Sequence, residues 1–310
     1  MPNQFDEGLR DRKAAFKLYP QAMPSAYAIE KRGTAPCKAT CPAHVSIQGY
    51  VALINQGKYR EALELFKKDH PFPAICGRVC HHPCEGICTR GDVDQPIAIQ
   101  YLHRFLADLD LQDDTRYVPA VEEKRDEKIA FVGAGRAGLT AAFYMAWKGY
   151  GVTVLEKLPV AGGMMSVGIP AYRLPRDIIA QEVKVIEDMG VEIRTGVEFG
   201  KDVTLESLKS DGYKAVFMAT GLHLSRALNV PGEDHPGVLK GVDFLRDVAL
   251  GNAVSVGKRT VVIGGGNVAV DVALSAKRSG AEQVTLVCLE TREEMPAWDY
   301  EIEELSLIHI

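Results

Sequence analysis

The sequence predicts a mixed α/β protein in which an all-helical, cysteine-rich N-terminal region precedes two strand–helix units. Six of the seven cysteines lie between residues 37 and 88, which sets this region apart. From residue 128, strand-like and helix-like segments alternate, as in folds with a mainly parallel sheet. A second series of this kind begins at residue 259, and a chain of 310 residues is long enough for two or three domains.

Composition and charge narrow the class of protein. Hydrophobic residues make up 46% of the chain and charged residues 25%, which predicts a soluble globular protein. A net charge of −5 offers no basic surface for nucleic acid. The charged N-terminus does not resemble a secretory signal, and no run of about 18 apolar residues predicts a membrane span. We therefore expect a cytoplasmic protein, where clustered cysteines more often bind metal than form disulfides.

The N-terminal region is predicted to consist of helices joined by cysteine-containing loops. Apolar residues at helical spacing over 45–68, interrupted near Gly57, predict two helices. Residues 96–111 open on Pro96, a residue favoured at helix starts, and continue with the same period. The polar and charged stretch 112–128 predicts a linker.

Short apolar runs alternate with helix-like stretches in the following part of the chain. The apolar runs are bounded by glycine and polar residues, as expected for strands of a parallel sheet. The predicted strands are 128–133, 151–157, 191–196 and 215–221, and the predicted helices begin at residue 136 and span about 176–189.

A glycine-rich turn follows the first predicted strand. Gly133, Gly135 and Gly138 form the pattern G-x-G-x-x-G, a helix follows, and the next strand ends in Glu156. These glycines permit a tight turn, backbone approach to a pyrophosphate, and close packing of helix on strand. The helix start favours phosphate, and the acid can accept hydrogen bonds from a ribose. This order of parts predicts a Rossmann-like dinucleotide site; a glycine turn without a ligand is the alternative.

A second unit of the same design occupies residues 259–290. Gly264, Gly266 and Ala269 form G-x-G-x-x-A, and Glu290 ends the next strand. Two dinucleotide folds in one chain suggest two cofactors that exchange electrons. A flavin and a nicotinamide are the usual pair for that chemistry.

The segment 76–90, CGRVCHHPCEGICTR, places a cysteine at every fourth position. A buried helical stripe would have this spacing, but Gly77 and Pro83 interrupt a continuous helix. Four thiolates suit a zinc site or an iron–sulfur cluster, and Cys37 and Cys41 add two thiols. The neighbouring units favour iron–sulfur, because a cluster takes the electrons of a flavin one at a time. Zinc and structural cysteines remain alternatives.

Motifs over about residues 33–304 resemble the glutamate synthase small subunit and the N-terminal half of dihydropyrimidine dehydrogenase. They are GAGRAGL at 133–139, AGGMMSVGIPAYRLP at 161–175, ATG at 219–221, GGGNVAVD at 264–271 and TREEMPA at 291–297. The resemblance implies a helical domain with [4Fe–4S] clusters plus a linker over 1–125, and the first part of an FAD-binding domain over 126–229. It also implies an incomplete NAD(P)H-binding domain over 230–304.

The resemblance assigns further residues to the cofactors. Gly162 and Gly163 match a loop that lies along the flavin. Thr220 and Gly221 match the crossover from the FAD domain into the nucleotide domain. The predicted cofactor-binding residues are Gly133, Gly135, Gly138, Glu156, Gly162, Gly163, Thr220, Gly221, Gly264, Gly266, Asn267, Val268, Glu290 and Arg292.

The resemblance also implies ligands for the clusters. One family cluster uses a C-x2-C pair with the positions of Cys37 and Cys88, but Ile29 and Arg32 replace that pair here. The other uses the positions of Cys41, Cys80 and Cys84, which are all present and are the firmest candidates, with a non-cysteine residue on the next helix that aligns with His103. Cys37, Cys76 or Cys88 are alternatives for the fourth place. We predict one cluster, with two as the alternative. The candidate ligands are Cys37, Cys41, Cys80, Cys84, Cys88 and His103.

These assignments predict an electron-input flavoprotein. Hydride would pass from NAD(P)H to FAD, and single electrons would pass through a cluster to an electron-accepting subunit or a ferredoxin-like protein. No catalytic acid or base is required, because the cofactors carry the chemistry. A free-standing NAD(P)H:ferredoxin-type oxidoreductase and a zinc-bound interaction module are the alternatives. A thioredoxin-reductase-like enzyme is disfavoured, since the chain has no C-x-x-C pair.

The end of the second unit favours NADH over NADPH. Many relatives have an arginine pair before REEMPA, where this chain has Leu289 and Glu290. A carboxylate there can accept the ribose hydroxyls of NADH and would repel a 2′-phosphate. Arg292 keeps NADPH as the alternative.

Two expectations concern the C-terminal part. Residues 305–310, LSLIHI, match the translation of a sequencing-library adaptor, so we treat them as non-native; an ordinary apolar helix end is the alternative. Family members return to the FAD domain after the nucleotide domain. The resemblance therefore implies that this chain lacks a segment that closes over the flavin. We expect that alone it binds FAD weakly or not at all, exposes apolar surface and is inactive.

Overall fold

The computed structural model describes residues 34–310, so positions Ile29 and Arg32 lie outside the described residues. Between residues 34 and 127 the described chain is helical and contains no strand, as predicted. Its helices are α1 (Pro36–Thr40), α2 (Ile47–Asn55), α3 (Tyr59–Asp69), α4 (Pro73–Val79), α5 (Pro83–Gly86) and α6 (Ile99–Gln112), with a 3₁₀ turn at Thr89–Asp92.

Glycine and proline set several helix bounds in this region. Gly57, with a φ of 71°, separates α2 from α3, which confirms the predicted break. Pro73 and Pro83 lie at the starts of α4 and α5, where a missing N–H costs no helical hydrogen bond. Helix α6 begins at Ile99, so Pro96 precedes the helix instead of opening it.

The first strand–helix unit forms a four-stranded parallel sheet in the order β3-β2-β1-β4. This confirms the predicted α/β fold. The carboxyl ends of the strands meet at one edge, which is where ligands bind in open α/β sheets. The elements are β1 (Lys128–Val132), α7 (Arg136–Trp147), β2 (Gly151–Glu156), α8 (Met164–Val167), α9 (Arg176–Asp188), β3 (Glu192–Thr195), α10 (Leu205–Ser210) and β4 (Tyr213–Met218).

The second unit has two parallel strands in the described chain. Much of their side-chain surface is exposed, including Val261 and Ile263 of the first strand. The elements are α11 (Gly241–Leu250), β5 (Arg259–Ile263), α12 (Asn267–Arg278), β6 (Gln283–Val287) and α13 (Asp299–Leu307), with a 3₁₀ turn at Arg292–Glu294 before α13.

The largest hydrophobic core joins the cysteine region to the first sheet. Phe72 and Ile75 from the helical region lie in the same buried cluster as Phe131 and Leu139 from the first α/β unit. The second unit has a separate core, which includes Val262. Part of the helical region therefore packs into the interior of the first α/β unit, while Tyr50, Phe66 and Cys84 belong to a further cluster within the helical region.

Seven helices were not predicted from the sequence: α1, α4, α5, α8, α10, α11 and α13. Three of them, α1, α4 and α5, contain cysteines that were expected in loops. Helix α13 runs into the segment that we treat as non-native and buries Leu305 in the second core. The origin of residues 305–310 stays a prediction. Within residues 34–310 no helix is both long and apolar enough to cross a membrane.

Candidate cofactor-binding sites

The first glycine loop connects β1 to α7. Gly133 has a φ of 106°, and a Cβ on it would collide with the carbonyl oxygen of Ala219. A Cβ on Gly138 would collide with the carbonyl oxygen of Gly133. A Cβ added to Gly135 would have only one neighbour within 4 Å, the Cα of Gly163 at 3.8 Å. The first and third glycines are required by packing, and the second leaves the backbone accessible, as a bound pyrophosphate needs.

A second glycine pair closes against this loop. Gly162 donates a backbone hydrogen bond of 2.7 Å to the carbonyl of Ala134. Gly163 has a φ of 53°, and a Cβ on it would lie 2.7 Å from the Cα of Gly135. The structure therefore brings the two predicted glycine segments together.

Glu156 lies at the end of β2, beside the same loop, and is 7% exposed. Its Oε2 accepts a hydrogen bond of 2.8 Å from the backbone N–H of Ala134, and its Oε1 accepts one of 2.8 Å from Leu158. Each carboxylate oxygen has a further lone pair, so a ribose hydroxyl can still donate to it. Thr220 and Gly221 follow β4 at the same edge of the sheet and are exposed. These residues fit a flavin dinucleotide.

The second glycine loop precedes α12. Gly264 has a φ of 140°, and Gly266 is the N-cap residue of the helix. Val268, in the first turn, is 55% exposed. The Nδ2 of Asn267 donates a hydrogen bond of 2.6 Å to Oε2 of Glu301 on α13. The loop offers open backbone at a helix start, which fits a nucleotide phosphate.

Glu290 lies over this second loop. A Cβ on Gly265 would be 3.1 Å from Oε2 of Glu290, so the carboxylate stands directly above the glycine backbone. Arg292 is exposed, and its Nη2 donates a hydrogen bond of 2.6 Å to Ser306. The carboxylate is thus next to the loop, and the guanidinium is held by α13.

The N-terminal cysteines form one electrostatically coupled group. Burial raises the pKa of Cys84 to about 12, and the nearby Cys80, Glu85 and Cys41 raise it further. Burial also raises the pKa of Cys37, with Cys88 and Cys41 adding to the effect. Thiols that oppose each other's ionisation in this way fit a cationic iron–sulfur cluster, which would neutralise their thiolates. All of these cysteines are free thiols.

Two of the predicted ligands line a separate cavity. Cys37 and Cys88 face a cavity of about 280 Å³ with apolar walls that include Ile47 and Val51. Within residues 34–310, no three His, Cys, Asp or Glu side chains converge on a point as ligands of a single metal ion would. The thiolates of a four-iron cluster bind different iron atoms, so they need not converge in that way.

His103 is buried in α6 and its Nε2 has no hydrogen-bond partner. The ring centroid lies 4.1 Å from that of Phe66 and 6.4 Å from that of Tyr50. Burial lowers the pKa of His103 to about 3, so the imidazole is neutral. Burial raises the pKa of Tyr50, and Cys84 adds to this, which places the phenol near the thiols. The described ring contacts of His103 are with Phe66 and Tyr50, and its role as a metal ligand stays a prediction.

Three charged residues beside these sites were missed by the sequence analysis. Arg136 contacts Cys76, and Glu182 contacts the start of α4. Arg173 connects the two α/β units through an ion pair with Asp271. Their partners are distant in the sequence, so no local pattern could have identified them.

Residues 127–307, more than half of the chain, match the family of pyridine nucleotide-disulphide oxidoreductases. The chain belongs to this family. Residues 17–115 also match a second family, described as dihydropyrimidine dehydrogenase domain II with a 4Fe-4S cluster. The predicted fold, the oxidoreductase class and the FAD, NAD(P)H and [4Fe–4S] cofactor types are therefore confirmed at the family level.

Curated relatives match over most of this chain. The chain is 45% identical over 295 residues to the beta subunit of NADP(+)-dependent formate dehydrogenase from Moorella thermoacetica, covering 87% of this chain and 42% of the relative. It is 37% identical over 280 residues to the NAD-dependent dihydropyrimidine dehydrogenase subunit PreT from Salmonella typhimurium, covering 89% of this chain and 67% of the relative. The chain thus spans less than half of the longer relative.

A solved structure supports the arrangement of the α/β part. FprA from Mycobacterium tuberculosis, in complex with NADPH, superposes with a TM-score of 0.50 and 29% sequence identity. The match covers 60% of this chain and 48% of FprA.

Proposed function

We propose that this chain is the electron-input part of an oxidoreductase subunit. When bound, the cofactors would supply hydride transfer from NAD(P)H to FAD and single-electron transfer through a [4Fe–4S] cluster to a partner. The observation that carries this proposal is the direct packing of α4, the helix whose C-cap residue is Cys80, on the flavin unit. Cys37, Cys41 and Cys84 lie in the adjoining cluster of the helical region, so α4 would connect the cysteine group to the flavin unit without a domain movement.

The residues form three proposed binding sites, one for each cofactor. The loop containing Gly135 and the carboxylate of Glu156 would hold the flavin dinucleotide. The loop that starts α12 would hold the nicotinamide dinucleotide. Cys41, Cys80 and Cys84 would hold the cluster, with His103 as the fourth ligand. Two other thiols, Cys37 and Cys88, lack described partners for a second cluster, so we propose one.

We also propose that the electron acceptor is a fixed partner subunit. The beta subunit of NADPH-Fe(3+) oxidoreductase from Geobacter sulfurreducens is 42% identical over 275 residues, covering 87% of this chain and 41% of that protein. Such relatives are named as subunits, which supports a fixed electron-accepting partner. A cytoplasmic location belongs to the same proposal, since it would keep the thiols reduced for cluster assembly.

Anaerobic purification tests the cluster assignment. We expect about four iron and four acid-labile sulfide atoms per chain. Cys80→Ser should lose most of both, because it removes a ligand at the end of α4. The matched control is Cys288→Ser, whose thiol lies in the second α/β unit. Zinc without sulfide, or full iron and sulfide in Cys80→Ser, would refute the assignment.

A further inference from the structure

Helix α4 lies between the cysteine group and the flavin loop. Cys76 is inside the helix, and Cys80 is its C-cap residue. The N-cap residue, Phe72, makes no side-chain capping hydrogen bond. Other parts of the chain must therefore fix the position of the helix.

The flavin unit contacts Cys76 through Arg136, the first residue of α7. The Nη2 of Arg136 lies 3.7 Å from Sγ of Cys76 and 3.1 Å from Nε2 of His70. The backbone N–H of Phe72 donates to Nδ1 of His70 at 3.0 Å, so the hydrogen of the neutral ring is on Nε2. Nε2 then donates to Sγ of Cys76 at 3.3 Å. In this tautomer the 3.1 Å contact between Nε2 and Arg136 joins two donors and is not a hydrogen bond, so the guanidinium bonds to the sulfur alone. The sulfur thus accepts hydrogen bonds from both the imidazole and the guanidinium.

The flavin unit also caps the start of α4. Oε1 of Glu182, on α9, accepts a hydrogen bond of 3.2 Å from the backbone N–H of Ala74, which lies 108 residues earlier. Glu182 is 1% exposed, and its Oε2 has no hydrogen-bond partner in the described chain. The carboxylate therefore supplies the cap that Phe72 does not.

We propose that Arg136 and Glu182 are positioning residues through which the flavin unit sets the place of the cysteine helix α4. The inference deepens the proposed function and rests on it for its consequence for electron transfer. Arg136 directly follows Gly135 of the loop for the flavin phosphates. Its guanidinium contacts Cys76 in α4, the helix that is capped by Cys80. The placement of the cluster ligand is thus tied to the flavin loop by side chains that bind no cofactor iron.

The charge of Arg136 gives the arrangement a measurable electronic effect. Within residues 34–310 no Asp or Glu forms an ion pair with this guanidinium. The guanidinium lies beside Cys76, which precedes the cluster ligand Cys80 by one helical turn. A positive charge there stabilises the reduced, more negative cluster. Removal of the charge should therefore lower the reduction potential of the cluster, which loss of packing alone would not do in a fixed direction.

The first test measures hydrogen–deuterium exchange of the backbone amides of α4 in the cluster-free chain by peptide mass spectrometry. Arg136→Met and Glu182→Leu should each speed this exchange about tenfold, because each substitution removes a hydrogen bond that holds the helix. Glu182→Gln keeps a carbonyl oxygen for Ala74 and should stay near the wild-type rate. The control is Arg194→Ala, whose guanidinium pairs with Glu192 on β3.

The second test is an EPR-monitored redox titration of the cluster-loaded chain. Arg136→Met should lower the cluster potential, and Arg136→Lys should restore it. Unchanged exchange of α4 in Arg136→Met or in Glu182→Leu would overturn the proposal, as would an unchanged potential in Arg136→Met. If Glu182→Leu does not fold, the two Arg136 variants still decide. The exchange test needs no cofactor, so failure of the proposed function would appear only as absent iron or sulfide.

Discussion

His103 and His70 are buried neutral imidazoles, and this makes the stability of the cluster-free chain sensitive to acid. Burial lowers the pKa of His103 to about 3 and that of His70 to about 4. In the unfolded chain both rings take a proton near pH 6.5, about the ordinary value. The contribution of the two neutral rings to the free energy of unfolding is therefore complete above about pH 6.5. It is lost as the pH falls from there towards the pKa values of the folded chain.

We expect each ring to lower the free energy of unfolding by about 2 kcal/mol between pH 7 and pH 5. His103→Leu should remove one ring's share of this pH dependence, because the leucine remains among Phe66 and Tyr50 without a titrating group. Urea unfolding at the two pH values measures the effect, with the exposed His81→Gln as control. If the free energy of unfolding of His103→Leu changed between the two pH values as much as that of the wild type, His103 would not be the buried neutral group described above.

Glu290 makes the choice of nicotinamide cofactor testable. Its carboxylate stands over Gly265, where a ribose hydroxyl would reach it and a 2′-phosphate would be repelled. We expect kcat/KM for NADH to exceed that for NADPH at least tenfold in the holoenzyme, about 1.4 kcal/mol. Glu290→Arg should narrow or reverse the ratio, and Glu282→Arg, at an exposed ion pair, should not. Better use of NADPH by the unmodified protein would refute this role.

At the residue scale, the sequence identified side chains whose role depends on a local pattern. The loops around Gly133 and Gly264 have the predicted strand–turn–helix context, and Glu156 and Glu290 lie beside them. Arg136 escaped prediction, since its contact with His70 joins residues 66 positions apart. A charged side chain in a helix start gives no sequence signal of a distant partner.

At the scale of elements, Gly77 controls how closely α4 approaches α6. A Cβ at this position would lie 2.7 Å from the Cα of Arg104, a backbone atom that cannot move alone. Gly77→Ala should therefore lower the free energy of unfolding by about 1–3 kcal/mol and reduce the iron content. Thermal unfolding and iron analysis measure both.

Gly86→Ala is the matched control in the neighbouring helix. No atom lies within 4 Å of the added Cβ, so we expect no loss and a gain of up to about 1 kcal/mol. If Gly77→Ala and Gly86→Ala changed the free energy of unfolding and the iron content equally, the close packing of α4 on α6 would not be the cause.

The strands of the first sheet were predictable because each is a short apolar run with clear bounds. Helices such as α8, with four residues, and α10, with six, are too short to show an apolar period. The start of α6 was misplaced because Pro96 allows a helix start but does not require one.

At the scale of the whole molecule, Arg173 holds the second α/β unit against the first. Its guanidinium lies 2.6 Å from Asp271, 3.2 Å from Glu301 and 3.1 Å from Glu304. The side chains of Arg173, Asp271 and Glu301 are at most 15% exposed, so losing the cation leaves shielded carboxylates unpaired.

Arg173→Leu should therefore loosen the second unit. We expect trypsin to cleave the connecting segment 219–240 about tenfold faster, since breaking a shielded ion pair costs up to several kcal/mol. Lys258→Leu breaks an exposed pair with Glu282 and should leave the rate unchanged. Equal cleavage of both variants and the wild type would contradict a role for Arg173 in holding the units together.

The core shared by the cysteine region and the first sheet has a consequence for the history of the protein. Recombination that exchanged the helical region alone would expose Phe72, Ile75 and the side chains that meet them, so both fragments would be selected against. The second unit keeps its own core around Val262, and its contacts with the rest include the ion pair at Arg173 and the stacking of His81 on Trp298. Gene fusions and exchanges should accordingly break between residues 219 and 240 more often than between 113 and 127, and the breakpoints in related genes can be counted.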